Sequence, residues 1–477
     1  MRATIQLLLV LFTFQSVWTQ QFDENTDINL TGIIYGEATW INTDNNAKKE
    51  LFIAGYDTNY DNFSGIYSYQ NNNLGLLSNS IEAYAHANIE QLDYNNDGYI
   101  DIIINGYNAN DNEEVRLLLN NNDGSFSEQI LPIDATSTGN MAIADLNNDN
   151  LSDIIITGVS PNDSDYIAKV YMQDNEGVFN ERASSLFGNS FGDILVFDAN
   201  NDGNNDVLIT GFNNSYNPDT KLYLNDGNAT FTENENANIM GIYFSATNAI
   251  DYDNDGDLDL VVSGFDTSYT PFSALYDNDG NGNFSLNSQP NLMALYWGAA
   301  DFVDYDNDGD YDIFLTGADS NTTPHAVFYK NTNGNFTKDE TTSNLVSGTY
   351  ISSTDWSDFD NDGDLDLVIT GLGSSGDAIS KVYNNTQNQL NTTTFNTIDS
   401  LTLYPNPVTN GKVQFSFSLS QSTEPFLITI FSTDGKRVLS IKQNLNKSID
   451  VSQLQKGIYM LQLSNIKQTV SKKLIIN

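Results

Sequence analysis

The sequence predicts an all-β protein: a seven-bladed β-propeller followed by a small C-terminal β-sandwich. Three observations predict it. A nine-residue acidic loop recurs at intervals of about 51 to 54 residues, a span that holds four short antiparallel strands and their turns. An apolar run closed by a small residue and glycine follows each loop, as in Ile313-Phe-Leu-Thr-Gly317. Near residue 400 the composition shifts to a shorter segment of alternating apolar residues, Val413, Phe415 and then Leu427 to Phe431.

Residues 1–20 carry Arg2, the apolar run Leu7 to Phe12 and a polar end near Thr19. This is the pattern of a secretory signal peptide, too short for a stable membrane span. The body should begin at residue 21. Phe22-Asp-Glu-Asn25 precedes Asn42 by the spacing at which Phe284 precedes Asp304. It should therefore be an outermost strand without a blade of its own, completing the seventh blade, whose Tyr383 to Leu390 stretch looks irregular.

The clearest loop is Asp304-Tyr-Asp-Asn-Asp-Gly-Asp-Tyr-Asp312. Acidic side chains at positions 1, 3, 5 and 9 can wrap a hard cation such as Ca²⁺, and Gly309 permits the left-handed turn. An EF-hand would need Glu at position 12, where Leu315 stands in a strand pattern; this is a shorter loop joining two strands. Intact copies begin at Asp93, Asp145, Asp198, Asp251 and Asp358, with Asn150 in place of glycine in the copy at Asp145. A worn copy (Asn42, Asp44, Asn46, Glu50) has Ala47 at the glycine position. Within a unit, short β-branched and aromatic runs alternate with Asn/Asp/Gly turns, as hairpins do. In the fifth unit these runs are Ser245 to Ile250, Leu258 to Val262, Ser273 to Tyr276 and Phe284 to Leu286. The aromatic positions (Tyr276, Phe284, Tyr329, Phe336) read as blade packing.

The formal charge of −44 excludes nucleic acid and anionic membranes as partners. Disorder is the usual meaning of such charge, but the acids sit in periodic loops among abundant aromatics. Without cysteine there is neither a disulfide framework nor a thiolate metal site. Beyond the signal peptide, no run approaches the roughly 20 apolar residues of a transmembrane helix.

No catalytic residue is assigned. The only histidines are His86 and His325, each in a strand pattern, and no nucleophile elbow, zincin or phosphate-loop motif occurs. A paired-carboxylate glycosidase would need acids outside the loops; Glu37, Glu90 and Glu176 are available and read as surface charges.

The D-x-[DN]-x-[DN]-G-x-x-D loop, its apolar run and the Tyr-x-Asn-x-x-Gly-x-Phe stretches resemble FG-GAP/VCBS repeats, related to the propeller repeats of integrin α-subunits. The resemblance covers residues 21–391. It implies Ca²⁺ in the loop joining the first two strands of each intact unit, six sites in all, the worn first repeat excepted. The implied ligands are Asp93, Asn95, Asp97 and Asp101; Asp145, Asn147, Asp149 and Asp153; Asp198, Asn200, Asp202 and Asp206. The later loops supply Asp251, Asp253, Asp255 and Asp259; Asp304, Asp306, Asp308 and Asp312; Asp358, Asp360, Asp362 and Asp366. It also implies that the loops after the second strand share the opposite face. Tyr60, Tyr216 and Tyr269 fall at matching positions there and are candidates for stacking on a sugar.

After a linker (392–400), residues 401–477 resemble the C-terminal sorting domain of the type IX secretion system of the Bacteroidetes. Leu403-Tyr-Pro-Asn-Pro407, Asp434-Gly-Lys436, Lys456-Gly-Ile-Tyr459 and the lysine-bearing end carry that resemblance. It implies a Gram-negative host, passage through the outer membrane, and release or surface attachment. Together these features predict a secreted calcium-binding module for an extracellular glycan or protein. A propeller-based polysaccharide lyase or hydrolase, or a structural coat component, is the alternative.

Overall fold

The computed structural model describes residues 21–386 and 402–476, except 44–48, 71–72, 78–80, 162–164, 409–410, 417–425, 433–436, 444–447 and 465–468. The signal peptide, the linker, Leu390, the middle of the worn loop and the Asp434 turn lie outside the described residues. Contacts divide the chain into two units, Met1–Asn388 and Gln389–Asn477.

The first unit is built from antiparallel sheets that follow the repeats. Five are separate and four-stranded. In the fifth, Tyr243–Ile250, Asp259–Phe265, Pro271–Asn278 and Phe284–Asn287 pair in sequence order. The remaining strands form one nine-stranded sheet, in which Thr349–Tyr350 pairs with both Asp366–Gly373 and Pro324–Thr332 and so joins two such groups. The second strand of each group is covered on both faces. That is why it reads as an unbroken apolar run and not as an alternation. The glycine ending this run takes φ between 126° and 159° at Gly158, Gly211, Gly264, Gly317 and Gly371. A Cβ at Gly317 would lie 2.7 Å from the Tyr296 carbonyl oxygen, so only glycine fits.

Neighbouring groups share their cores. Ile103 and Val115 of the second pack with Ile154 and Ile156 of the third, and the pattern repeats along the unit. Phe359, Val368 and Val382 of the last group pack with Trp40, Leu51 and Ile53 of the first; Trp40 stacks on Phe359 with centroids 4.8 Å apart. Phe22–Glu24 pairs with Ala378–Asn385, Phe22 opposite Asn385, as the spacing of Phe22 predicts. The stretch from Tyr383 to Asn385 is a regular part of that strand, not the irregular segment expected, because the N-terminal strand supplies its partner.

Two side chains repeat the same tie in successive units. The amide of the Asn ending the third strand (Asn225, Asn278, Asn331, Asn385) donates to a carbonyl in the preceding unit's acidic loop, as in Asn278 Nδ2 to Ala199 O at 2.9 Å. The Tyr hydroxyl two residues earlier accepts the N–H of the segment entering its own unit, as in Tyr276 to Met240 N at 3.1 Å.

The second unit contains two antiparallel sheets. Thr402–Tyr404, Lys412–Ser416 and Ile449–Asp450 form one; Arg437–Gln443, Phe426–Ser432, Gly457–Ser464 and Thr469–Ile476 form the other. Val413 and Ile449 of the smaller sheet share a core with Ile428, Ile430, Leu461 and Leu474 of the larger.

Candidate functional site

Each acidic loop is folded by its own carboxylates. Asp304 at position 1 accepts the N–H groups of Asp308 and Gly309 at 3.1 and 3.0 Å, and Asp308 accepts that of Asp310. Position 4 is left-handed in every intact copy, with φ between 54° and 64° at Asn96, Asn148, Asn201, Asn254, Asn307 and Asn361; asparagine is the non-glycine residue that tolerates this. Asn150 at the glycine position is also left-handed, with φ 66°, so that loop keeps its shape.

Oxygens of Asp251, Asp253 and Asp255, of Asp304, Asp306 and Asp308, and of Asp358, Asp360 and Asp366 converge within 4.8 Å. Position 3 is Asn95, Asn147 or Asn200 in three copies, and there its amide hydrogen-bonds the position-5 Asp. The position-9 Asp has a second task the sequence did not disclose. Asp312 is buried, and its oxygens accept N–H from Asn331 at 2.7 Å and Tyr305 at 3.3 Å. The same braces recur at Asp101, Asp153, Asp206 and Asp366.

Asp259 is the telling exception. It is 2% exposed, yet its Oδ2 has no hydrogen-bond partner. Burial first, then Asp253 and Asp255, push its carboxyl up to about 7. A divalent cation held by Asp251, Asp253, Asp255 and Asp259 would supply the missing partner and cancel the repulsion, so these residues fit Ca²⁺. In the sixth loop the Lys330 ammonium lies against Asp306 and 3.0 Å from Asp308. In the worn first copy, Glu50 accepts the N–H and hydroxyl of Thr43.

Tyr60, Tyr216 and Tyr269 are 67%, 69% and 56% exposed, so they are not folded back into the core. All three occupy left-handed turn corners, φ 62°, 59° and 59°, closed by Asp57, Asn213 and Asp266. Two of them belong to one aromatic path, which runs from Tyr60 through Tyr56, Tyr35, Trp297, Phe244 and Tyr243 to Tyr269. Successive centroids are 6.2, 6.4, 5.7, 4.2, 5.1 and 5.9 Å apart. Tyr216 stands off this path, 5.9 Å from Tyr166.

The centre of the path is a collar over a cavity of about 480 Å³. The first strand of each group, or the segment leading into it, lines the cavity. Tyr35, His86, Thr138, Phe191, Phe244, Trp297 and Ile351 hold equivalent left-handed positions, with φ between 45° and 56°. Backbone bonds run round the collar from Phe244 N to Phe191 O, Trp297 N to Phe244 O and Ile351 N to Trp297 O at 2.6, 2.9 and 2.6 Å. Two residues further along the chain the lining holds Glu37 and Asp193, and two further still Asp301 and Asp355; Glu90 has the equivalent register position in the second group but is not part of the lining. Most of these acids clasp a neighbouring group. Glu37 accepts from Ile89 N at 2.7 Å, Asp193 from Thr247 N at 2.8 Å, Asp301 from Thr354 Oγ1 at 2.7 Å and Asp355 from Trp40 N at 2.7 Å.

Glu37 is therefore not the surface charge the sequence suggested, since it lines the cavity, and Glu90, outside that lining, is half-buried. Glu37, on a first strand, faces the cavity, and the sequence pattern cannot tell a cavity from bulk water. Burial pushes Glu37 up to about 7, and burial plus the Glu37 and Asp193 charges push Glu90 up to about 8. Burial lowers the His86 pKa and so disfavours its charged form. Glu176 lies in an exposed turn, and His325 is in a strand 3.3 Å from Asp319.

Comparison with known families accounts for the repeats. An FG-GAP-like repeat model matches residues 93–156, 198–262, 251–315 and 304–369, and a secretion system C-terminal sorting domain model matches residues 402–477. The chain carries FG-GAP-like repeats and a type IX sorting domain. The FG-GAP repeats form a β-propeller, and the sorting domain marks the chain for type IX export to the cell surface or extracellular space. Among the described residues no helix is long and apolar enough to cross a membrane. No protein of curated function matches. Solved structures similar to the chain include a rhamnogalacturonan lyase from Bacillus licheniformis (10% identity, 78% of this chain and 75% of the other, TM-score 0.42). The rhamnogalacturonan lyase YesW (13%, 75% and 72%, 0.42) and the six-bladed fucose-recognising lectin of Aleuria aurantia (11%, 65% and 96%, 0.40) are also similar.

Proposed function

We propose that this exported propeller is a calcium-stabilised binding module for an extracellular glycan, with residues 21–391 forming seven blades and residues 401–477 a β-sandwich sorting domain. The observation that carries the reading is the aromatic path from Tyr60 to Tyr269 across the cavity mouth. Exposed rings present flat apolar faces to sugar rings, and their hydroxyls offer hydrogen bonds. The seven-blade count is supported by the sharing of cores between the last group and the first. The sandwich is supported by the core common to the two C-terminal sheets. Six loops are assigned Ca²⁺ through the residues at positions 1, 3, 5 and 9, where the ion would neutralise carboxylates that otherwise repel one another.

Binding of the purified protein to a panel of polysaccharides, in calcium, tests this. Tyr60→Ala and Tyr269→Ala should each weaken binding several-fold, and Tyr216→Ala, off the path, should leave it unchanged. An equal loss in all three variants overturns the aromatic path as the binding surface. Absence of binding to any glycan by the folded protein transfers the face to a protein partner.

Glu37 and Glu90 favour a second reading, a polysaccharide lyase or hydrolase, because enclosed carboxylates with raised pKa are the raw material of acid–base catalysis. Release of new reducing ends or unsaturated products, abolished in Glu37→Gln, would establish it.

A further inference from the structure

The six intact loops differ at one position on the strand beside them: the residue just before the one whose N–H braces the position-9 Asp. In chain order that residue is Leu119, Met172, Leu224, Asp277, Lys330 and Asn384. It is apolar where position 3 of the loop is asparagine (Asn95, Asn147, Asn200), and polar or charged where position 3 is Asp253, Asp306 or Asp360. In the last two units its side chain reaches the loop directly. Asn384 Nδ2 donates to Asp360 Oδ2 at 3.1 Å, and the Lys330 ammonium lies against Asp306 and 3.0 Å from Asp308. Asp277 instead adds negative charge beside Asp253 and Asp259, and is held by the Tyr252 hydroxyl at 2.8 Å. Lys330 is the one cation among the six.

The Asp306 side chain is 7% exposed, and Asp304, Asp306 and Asp308 bring oxygens within 4.8 Å of one another. An ammonium offers such a group three N–H donors and a full positive charge, so it relieves the same repulsion that a divalent cation would. Both cannot hold the same oxygens at once. A Ca²⁺ ion entering this loop must part Lys330 from Asp306 and Asp308, and then stand near a positive charge that the flexible lysine stem keeps close. The sixth loop is also where the N-terminal strand docks. The Tyr305 carbonyl at its second position accepts from Asn385 Nδ2 at 2.7 Å and from Gln21 Nε2 at 3.1 Å, beside the pairing of Phe22 with Asn385.

We propose that Lys330 is the resident cation of the sixth loop, a tethered ammonium that Ca²⁺ must displace. The sixth loop then binds Ca²⁺ more weakly than the fifth and seventh, which carry the same four acids at positions 1, 3, 5 and 9. It also keeps its shape beside the N-terminal strand when calcium is scarce. This inference rests on the assignment of Ca²⁺ to the loops and adds a rank order within them.

Equilibrium dialysis of the full chain against a series of free Ca²⁺ concentrations, paired with melting curves, tests the assignment. Methionine fills this position in the third unit as Met172, so Lys330→Met removes the ammonium and keeps an unbranched stem. The variant should take up an additional ion at intermediate calcium. The affinity of that site should rise by at least roughly tenfold, the scale set by losing hydrogen bonds between charged groups. The melting temperatures should cross. In excess chelator Lys330→Met should melt below the wild type, because the loop acids have lost their ammonium; in saturating calcium it should melt at or above it. A lysine that only supports the structure would lower the melting temperature equally in both conditions, and that result overturns the proposal. Equal calcium uptake by the two proteins at every concentration overturns it as well, and leaves the calcium assignment standing. No uptake by either folded protein overturns the calcium assignment and this inference with it.

Discussion

The tyrosine of the third strand shows how much one atom can do in this fold. Tyr67, Tyr171, Tyr223, Tyr276, Tyr329 and Tyr383 each bury a ring between sheets and use the hydroxyl to accept a backbone N–H, at 2.7 to 3.2 Å. Removing the acceptor leaves an N–H unsatisfied, which costs about 1–3 kcal/mol. Tyr276→Phe should lose that much stability in urea unfolding at saturating calcium, while Phe at a surface tyrosine such as Tyr311 should be neutral. The sequence showed these rings as packing and did not show the hydroxyl's role, because its partner is a linker N–H that carries no motif. Leu118 stands at this position in the second unit. There Tyr84 instead donates to Glu114, which also pairs with Arg116. Glu37 and Glu90 were illegible for a related reason: charge in a strand says only that the side chain is not in apolar packing.

At the scale of elements, spacing was the strongest guide. The offset of Phe22 placed the first strand beside the last sheet, and the pairing of Phe22 with Asn385 follows from it. Phe22 is fully buried, with ring centroids 5.3 Å from Phe328 and 6.1 Å from Trp356. Phe22→Ala should cost about 3–5 kcal/mol, the range for deleting a core aromatic ring. Its effect should appear mainly as faster unfolding if the strand docks late. The acidic loops were legible down to the residue, yet the links between them were not. Asn201 reaches Asp257 at 2.6 Å and Asn307 reaches Asp364 at 2.7 Å, each in the next loop. Position 4 therefore couples neighbouring loops, and Asn201→Ala should lower calcium affinity in the fifth loop as well as loosen its own. Calorimetric titration that showed only local effects would refute the coupling.

For the whole molecule, charge dominates. With a formal charge of −44 and carboxylates gathered in loops and cavity, the fold is under self-repulsion that cations bound in the loops would relieve. Chelation should lower the melting temperature sharply, since each occupied site adds roughly 4 kcal/mol at a thousandfold excess of ion over Kd; an unchanged melt would mean the loops contribute nothing. Proton binding should act in the same sense at the cavity and beside it. Glu37, Glu90 and Asp301 are raised to about 7, 8 and 6, and Asp193 and Asp355 are raised as well. Between roughly pH 5 and pH 8 the folded protein then holds more protons at these groups than the unfolded chain, so stability falls as pH rises through that window. His86, whose pKa is lowered, opposes this as pH drops below its unfolded value, but it is one group against five. In saturating calcium, where the loop carboxylates stay ionised, the melting temperature should be higher near pH 5.5 than near pH 8. General repulsion across an acidic surface would slope the same way, so the deciding comparison is with Glu37→Gln/Glu90→Gln. If the cavity is responsible, that variant should flatten the profile and gain stability chiefly at the alkaline end, whereas a parallel profile would assign the effect to the surface.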